Sequence, residues 1–240
     1  MRFVAALLLC LLSPSAWAQD ALCEPRNPAR VENRDGSTLS LRTECSTSAM
    51  RRYVAELICA DGLVCDRLQV EQDVTETPMG HAGLVDLDGD GMHEVEVRGM
   101  CGAGPNCEGD VYRIDPATRT LRHFFSGGYY ELQVIDGWLV ESGRSSCCSW
   151  EFHLWRLETP RAGPLDYDSM DLMVQVDAGG DDDGNVTSVQ CTFTRQRGDN
   201  RVVVAPPSPA LEAICRHYGE PYDLTPPDTT PGAPRAPAGA

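Results

Sequence analysis

The chain has 240 residues, a formal net charge of -16 and 11 cysteines. That balance excludes a nucleic-acid partner, because phosphate backbones are held by clustered Lys and Arg. It suits instead cation binding, solubility and encounter with a basic protein.

Residues 1–18 read as a secretory leader. Arg2 supplies the positive start, Val4 to Leu12 the apolar run, and Ala16-Trp17-Ala18 the small-x-small site before Gln19. The run is too short to span a bilayer, and Cys10 lacks the small residues that precede a lipid-modified cysteine. No later segment is long and apolar enough to be a span. The expectation is a soluble periplasmic protein, with no membrane insertion once the leader is cleaved near Ala18.

Loss of the leader leaves Cys23, Cys45, Cys59, Cys65, Cys101, Cys107, Cys147, Cys148, Cys191 and Cys215. An even count in an exported chain reads as disulfides. Ten cysteines allow about 945 pairings, so connectivity stays open. Short loops favour Cys59 with Cys65 and Cys101 with Cys107. If Cys23–Cys45 and Cys191–Cys215 also paired, Cys147 and Cys148 would be left to each other in a strained vicinal bridge. Zinc is a weaker alternative, since these spacings match no zinc module.

In chain order, short β-like runs fall at Leu39–Arg42, Tyr53–Ile58, Leu68–Glu71 and Gly83–Asp86. The next segment, Asp86-Leu87-Asp88-Gly89-Asp90-Gly91-Met92-His93-Glu94, places carboxylates at loop positions 1, 3, 5 and 9 with glycine at 6. This pattern builds an oxygen cage for a hard cation, with the Met92 backbone carbonyl at position 7. Calcium is the expected ion, in a structural role, with Asp86, Asp88, Asp90, Met92 and Glu94 as ligands. Position 12 is Val97 where an EF-hand carries Glu, and Glu94–Arg98 alternates as a strand does. His93, at position 8, reads as surface.

Further strands are expected at Asp110–Ile114, Leu121–Phe125, Glu131–Ile135, Trp138–Glu141, Phe152–Leu157, Asp171–Val176, Val186–Thr194 and Arg201–Ala205. Asp115-Pro116-Ala117-Thr118 ends one of them, and Asp136-Gly137 links two as a tight hairpin. Asp181-Asp182-Asp183-Gly184-Asn185 lacks the cage alternation and reads as a hairpin turn. Pro209 to Tyr218 is the one persuasive helix, with Leu211, Ile214, Cys215 and Tyr218 on one face. From Thr225 onward the Pro-rich chain has almost nothing to bury and is expected to be disordered. The fold class is therefore all-β, a small propeller-like or sandwich assembly of antiparallel hairpins. One disulfide-reinforced domain is expected over residues 19–224, with a short C-terminal helix and a tail over 225–240.

No catalytic set emerges. The five histidines are dispersed. Glu131, Glu141 and Glu151 lie in strand regions and offer in principle the carboxylate pair of a glycosidase, but charged residues usually mark solvated faces. Ser145, Ser146 and Ser149 lack a nucleophile elbow. Trp138, Trp150 and Trp155 read as core rather than as a sugar-stacking surface.

Ser126-Gly127-Gly128-Tyr129-Tyr130 lies between two expected strands. It fits both the Ser-Gly-x-Tyr and the Ser-Gly-x-x-Tyr patterns of bacterial periplasmic lysozyme inhibitors. The cation loop followed by a strand is similar to those of FG-GAP and related propeller repeats, although this chain has one good copy. Together these features resemble the inhibitors of invertebrate-type lysozymes and related immunity proteins against secreted lysozyme-like effectors. The resemblance covers roughly Leu84 to Leu157. It implies a periplasmic, calcium-binding protein, not an enzyme, whose partner is a lysozyme-like peptidoglycan hydrolase. The Ser126–Tyr130 turn would plug that enzyme's groove, Ser126 offering a hydroxyl to a catalytic carboxyl and Tyr129 or Tyr130 a flat face. The alternative is an exported propeller-like binding module for another envelope protein or a glycan. A third reading is a glycan hydrolase.

Overall fold

The computed structural model describes residues 23–102, 104–146, 148–182, 185–216 and 224–225. The expected leader, Tyr218 and the expected tail beyond Thr225 lie outside the described residues. So does Cys147, and with it any pairing between Cys147 and Cys148.

The chain is all-β, and its strands fall in sequence order into three antiparallel sheets. The first holds β1 (Arg26–Glu32), β2 (Thr38–Cys45), β3 (Met50–Ile58) and β4 (Val64–Asp73). The second holds β5 (His81–Val85), β6 (Glu94–Cys101), β7 (Cys107–Asp115) and β8 (Thr120–Tyr129). The third runs β9 (Glu131–Ile135), β10 (Trp138–Arg144), β11 (Ser149–Arg156), β12 (Leu172–Gly180), β13 (Val186–Arg197) and β14 (Asn200–Val203). A two-residue β15, Leu224–Thr225, pairs with β13 in parallel.

Every expected strand is present, several of them longer than expected. The Asp136-Gly137 hairpin has both central residues at positive φ, 51° and 75°, which matches the right-handed twist of the strands it joins. Strand β1 was not expected, because Arg26–Glu32 is almost wholly exposed and contains Pro28. Such a sequence suits a sheet edge, where a missing N–H costs nothing.

Period-two alternation directs the packing. Leu39, Leu41, Tyr53, Ala55 and Leu57 of the first sheet bury against Val95 and Val97 of the second. Val111, Phe125 and Tyr129 of the second bury against Leu139 and Trp155 of the third. The far face of the third sheet, including Phe152, Leu154, Val174 and Phe193, is covered by Leu211, Ile214 and Cys215. Among the described residues no apolar cluster joins the first sheet to the third. The expected helix is shorter than its apolar spacing suggested: Pro209–Glu212 is α-helical and Ala213–Arg216 tightens to a 3-10 turn. Ser208 caps it, accepting from the Leu211 N–H.

Among the described residues four disulfides brace the individual sheets and the C-terminal turn: Cys23–Cys45, Cys59–Cys65, Cys101–Cys107 and Cys191–Cys215. The last fixes the C-terminal turn to β13, closing a 24-residue separation. In the loop-entropy model a closure of that length contributes about 3 kcal/mol. No helix among the described residues is long and apolar enough to cross a membrane.

Candidate functional site

The carboxylate-rich segment expected to be a cation loop joins β5 to β6. Gly89 and Gly91 take positive φ, 69° and 82°, which lets the chain coil tightly enough for its own carboxylates to cap it. Asp86 accepts from the N–H groups of Asp90 (3.1 Å) and Gly91 (3.0 Å). Asp90 accepts from the Met92 N–H at 2.7 Å. One oxygen from each of Asp86, Asp88 and Asp90 lies within 4.8 Å of the others. This donor set of exposed, convergent carboxylates fits a hard cation.

Glu94, expected at position 9 of the cage, opens β6 and is 2% exposed. Its two oxygens accept from the Leu87 N–H (3.1 Å) and from Arg113 (2.8 Å). Arg113 also pairs with Asp88 at 3.1 Å. Burial pushes the Glu94 carboxyl up, and Arg113 opposes that shift. The loop is also fastened to the turn after β1. Arg34 donates its N–H to the Gly91 carbonyl (2.9 Å) and pairs with Asp90 (3.3 Å). Asn33 accepts from the His93 N–H at 2.9 Å. His93 is thus half-buried rather than a surface residue. Asn33 and Arg34 lie some sixty positions upstream, and nothing in their local sequence signals the contact.

The Ser126–Tyr130 segment corrects an expectation. Ser126 to Tyr129 are the last residues of β8, paired with Asp110, Gly109, Glu108 and Cys107 of β7. The chain passes to the third sheet at Tyr130. There is no protruding finger here: a hairpin needs both its strands in one sheet, and β8 and β9 belong to different ones. The Ser126 hydroxyl is engaged within the sheet, donating to its cross-strand neighbour Asp110 at 2.7 Å. Nor do the glycines make a narrow turn; Gly127 makes room. A Cβ on Gly127 would come within 2.6 Å of the Glu141 carboxylate and 2.5 Å of the Phe125 ring.

The two tyrosines part company, as successive strand residues do. Tyr129 is fully buried. Its hydroxyl donates to Glu96 at 2.6 Å, its ring lies 3.9 Å under the Arg98 guanidinium, and it fills space that Gly109 leaves free. Burial, with Glu96 beside it, drives its phenol far above the ordinary tyrosine value. Tyr130 is 52% exposed and meets Trp150 edge-on at 5.7 Å. Trp138 and Trp155 are core, as expected, while Trp150 is half-buried beside Tyr130.

Between the second and third sheets lies a cleft of about 110 Å³, lined by residues that include Gly128, Glu141, Glu151, His153 and Tyr167. Its floor is Glu141, read from sequence as a solvated strand residue but 1% exposed. Glu141 accepts from the Gly128 N–H (2.9 Å), the Tyr167 hydroxyl (3.0 Å) and His153 Nδ1 (3.1 Å). Glu151 stands 3.7 Å from the other nitrogen of His153. Burial and the Glu141 charge push the Tyr167 phenol up to about 12. Asn106 closes one end, exchanging two hydrogen bonds with the Arg144 backbone (3.0 and 2.8 Å). Cross-strand register explains the grouping: Glu141 is opposite His153, and Gly143 is opposite Glu151. Glu131, at the start of β9, is exposed and is not among the residues lining this cleft.

No family model matches the chain, and no curated protein matches it. Among solved structures, the chain is similar to one titled as a Xanthomonas Type IV secretion system related protein. That match has 16% sequence identity and a TM-score of 0.45, and covers 74% of this chain and 93% of that one. A likeness of that size bears on neither the site nor its chemistry.

Proposed function

We propose that this chain is a periplasmic, calcium-binding inhibitor or immunity protein that blocks a lysozyme-like peptidoglycan hydrolase. The observation that carries this reading is the exposure of Tyr130, 52%, immediately after strand β8. A tyrosine presents a large, stiff, amphipathic face at small entropic cost, and such residues dominate binding energy at protein interfaces. Such a face can cover a carboxyl-lined groove shaped for sugar rings. The contact therefore belongs to Tyr130 and its surroundings rather than to a finger carrying Ser126. The net charge of -16 favours a basic target.

A binding role is preferred to hydrolysis because the cleft, at about 110 Å³, is well below the ~300–1,000 Å³ of typical ligand pockets. Its carboxylates are also engaged: Glu141 by three partners, and Glu151 by the Ser145 hydroxyl.

Inhibition is tested by titrating the mature protein against a panel of lysozymes and any lysozyme-like enzyme encoded beside it. Tyr130→Ala is expected to weaken inhibition by about 30-fold or more, the effect of losing an interface hot spot. Undiminished inhibition would exclude this surface. Failure to inhibit any enzyme, together with direct binding to a different envelope protein or glycan, would favour the binding-module reading.

Calcium would be held by Asp86, Asp88 and Asp90 with the Met92 carbonyl, while Glu94, whose oxygens go to the Leu87 N–H and Arg113, would brace the loop from below rather than ligate. The ion would stiffen the β5–β6 loop, which Asn33 and Arg34 fasten to the end of the first sheet's β1. A ligand bound only by the folded state stabilises it, by about 2.7 kcal/mol at a hundred times its Kd. Calcium should therefore raise the melting temperature of the chelator-treated protein, and Asp86→Ala should abolish the rise. An unchanged melting temperature in the unsubstituted protein would reject the cage.

A further inference from the structure

Strand β8 is the last strand of its sheet, and its outer edge shows an unusual arrangement. Alternate residues of an edge strand direct their N–H groups away from the sheet. Ser126 directs its N–H to the Leu165 carbonyl (3.0 Å), and Tyr130 directs its own to the Ser142 carbonyl (2.8 Å). Between them, Gly128 meets no backbone. Its N–H goes to the Glu141 carboxylate (2.9 Å) and the Tyr167 hydroxyl (3.2 Å).

We propose that Glu141 is a positioning residue that takes the place of a neighbouring strand on this edge, holding Gly128 and thereby fixing Tyr130 in its docking orientation. Three observations converge on this role. A carboxylate 1% exposed persists only where hydrogen bonds replace its lost water; here Gly128, Tyr167 and His153 supply them. The absence of a side chain at Gly127 is what lets the carboxylate approach, since a Cβ there would sit 2.6 Å from it. Lastly, charge-assisted hydrogen bonds are roughly twice as strong as neutral ones, so one side chain can do what a strand's carbonyl would. The paired glycines and Glu141, 13 residues apart, thus form one device: one glycine gives space and the other gives the donor.

The consequence for inhibition rests on the function proposed above, whereas the consequence for Gly128 does not. The experiment measures both in the mature protein. Amide hydrogen exchange is followed by NMR for Gly128, with Ser126 and Tyr130 as internal references, in the parent, Glu141→Gln and Glu141→Ala. In Glu141→Ala the exchange of Gly128 should accelerate at least tenfold relative to both references. Glu141→Gln keeps an acceptor oxygen and should fall between the two, which a generally loosened fold would not produce. Against a hydrolase that the parent inhibits, Glu141→Ala should lose about tenfold in potency while retaining the parent's circular dichroism. If Gly128 exchanges in folded Glu141→Ala as it does in the parent, the proposal is overturned. If Glu141→Ala does not fold, the same criterion applies to Glu141→Gln, whose Gly128 must exchange faster than the parent's. If the parent inhibits no hydrolase, the exchange rates still decide the role of Glu141, and only the functional reading fails.

Discussion

Tyr129→Ala should cost about 3–5 kcal/mol, the range for deleting a large buried aromatic side chain. Tyr130→Ala, one residue on, should shift stability by no more than about 0.5 kcal/mol, as surface substitutions do. The contrast follows from what each ring touches. Tyr129 packs edge-on against Phe125 at 5.7 Å, lies under Arg98 and donates to Glu96. Its removal leaves a cavity between the second and third sheets and two charged side chains without their shared neighbour. Since domains of this size are stable by about 5–15 kcal/mol, Tyr129→Ala should be substantially unfolded well below the parent's urea midpoint. Tyr129→Phe keeps the packing and loses a hydrogen bond to a carboxylate, about 1.5 kcal/mol, near the low end because Glu96 is reached by solvent and also pairs with Arg98. A pH dependence accompanies it. The folded phenol is pushed above its unfolded value, so its contribution is intact below about pH 10. That contribution is lost as alkali rises beyond that point, and Tyr129→Phe should flatten the alkaline limb. Equal destabilisation by Tyr129→Ala and Tyr130→Ala would show that the two rings have been assigned to the wrong environments.

Much of this was legible in the sequence, for identifiable reasons. Half-buried strands announce themselves by alternation, as in Leu39–Arg42, and Asp136-Gly137 has few conformations other than a tight hairpin. The cation loop is local, so its turn could be read directly from the spacing of its carboxylates. Three things were hidden. The break between sheets at Tyr130 leaves no local mark, because neighbouring strands in sequence usually pair and here β8 and β9 do not. The clamp from Asn33 and Arg34 onto the loop spans 60 and 56 positions. Glu141 was read as solvated because charge usually is. Yet five consecutive residues, Trp138 to Ser142, are buried, as in strands covered on both faces. The apolar run Trp138-Leu139-Val140 immediately before Glu141 was the available signal. A carboxylate continuing such a run needs internal partners, and cross-strand register supplies one of them, His153.

Arg113 should prove as costly to lose as Tyr129, although it is partly exposed. It is the cation paired with Glu94, at 2.8 Å, and it also reaches Asp88 while lying 4.3 Å over the Phe124 ring. Removing one member of a buried pair leaves an uncompensated charge, which costs about 3–5 kcal/mol. Arg113→Met, measured in calcium-free buffer, is therefore expected to fall in that range at neutral pH. Glu94→Gln removes the buried charge itself and should cost less, and the double variant should be more stable than the sum of the single losses predicts. Contacting residues show interaction energies of about 0.5–3 kcal/mol in such cycles, and the upper half of that range is expected here. Acidity gives an independent check. Burial already holds the Glu94 carboxyl above its ordinary value, opposed by Arg113, and loss of the arginine raises it further. A group raised in the folded state favours folding when protonated, so the deficit of Arg113→Met should shrink as pH falls through the folded value towards the ordinary carboxyl range. The deficit in Arg113→Met/Glu94→Gln should not follow that trend. Additive single losses, or a deficit in Arg113→Met that stays constant from neutral to acid pH, would mean that Glu94 is compensated elsewhere and that Arg113 does not hold the base of the cation loop.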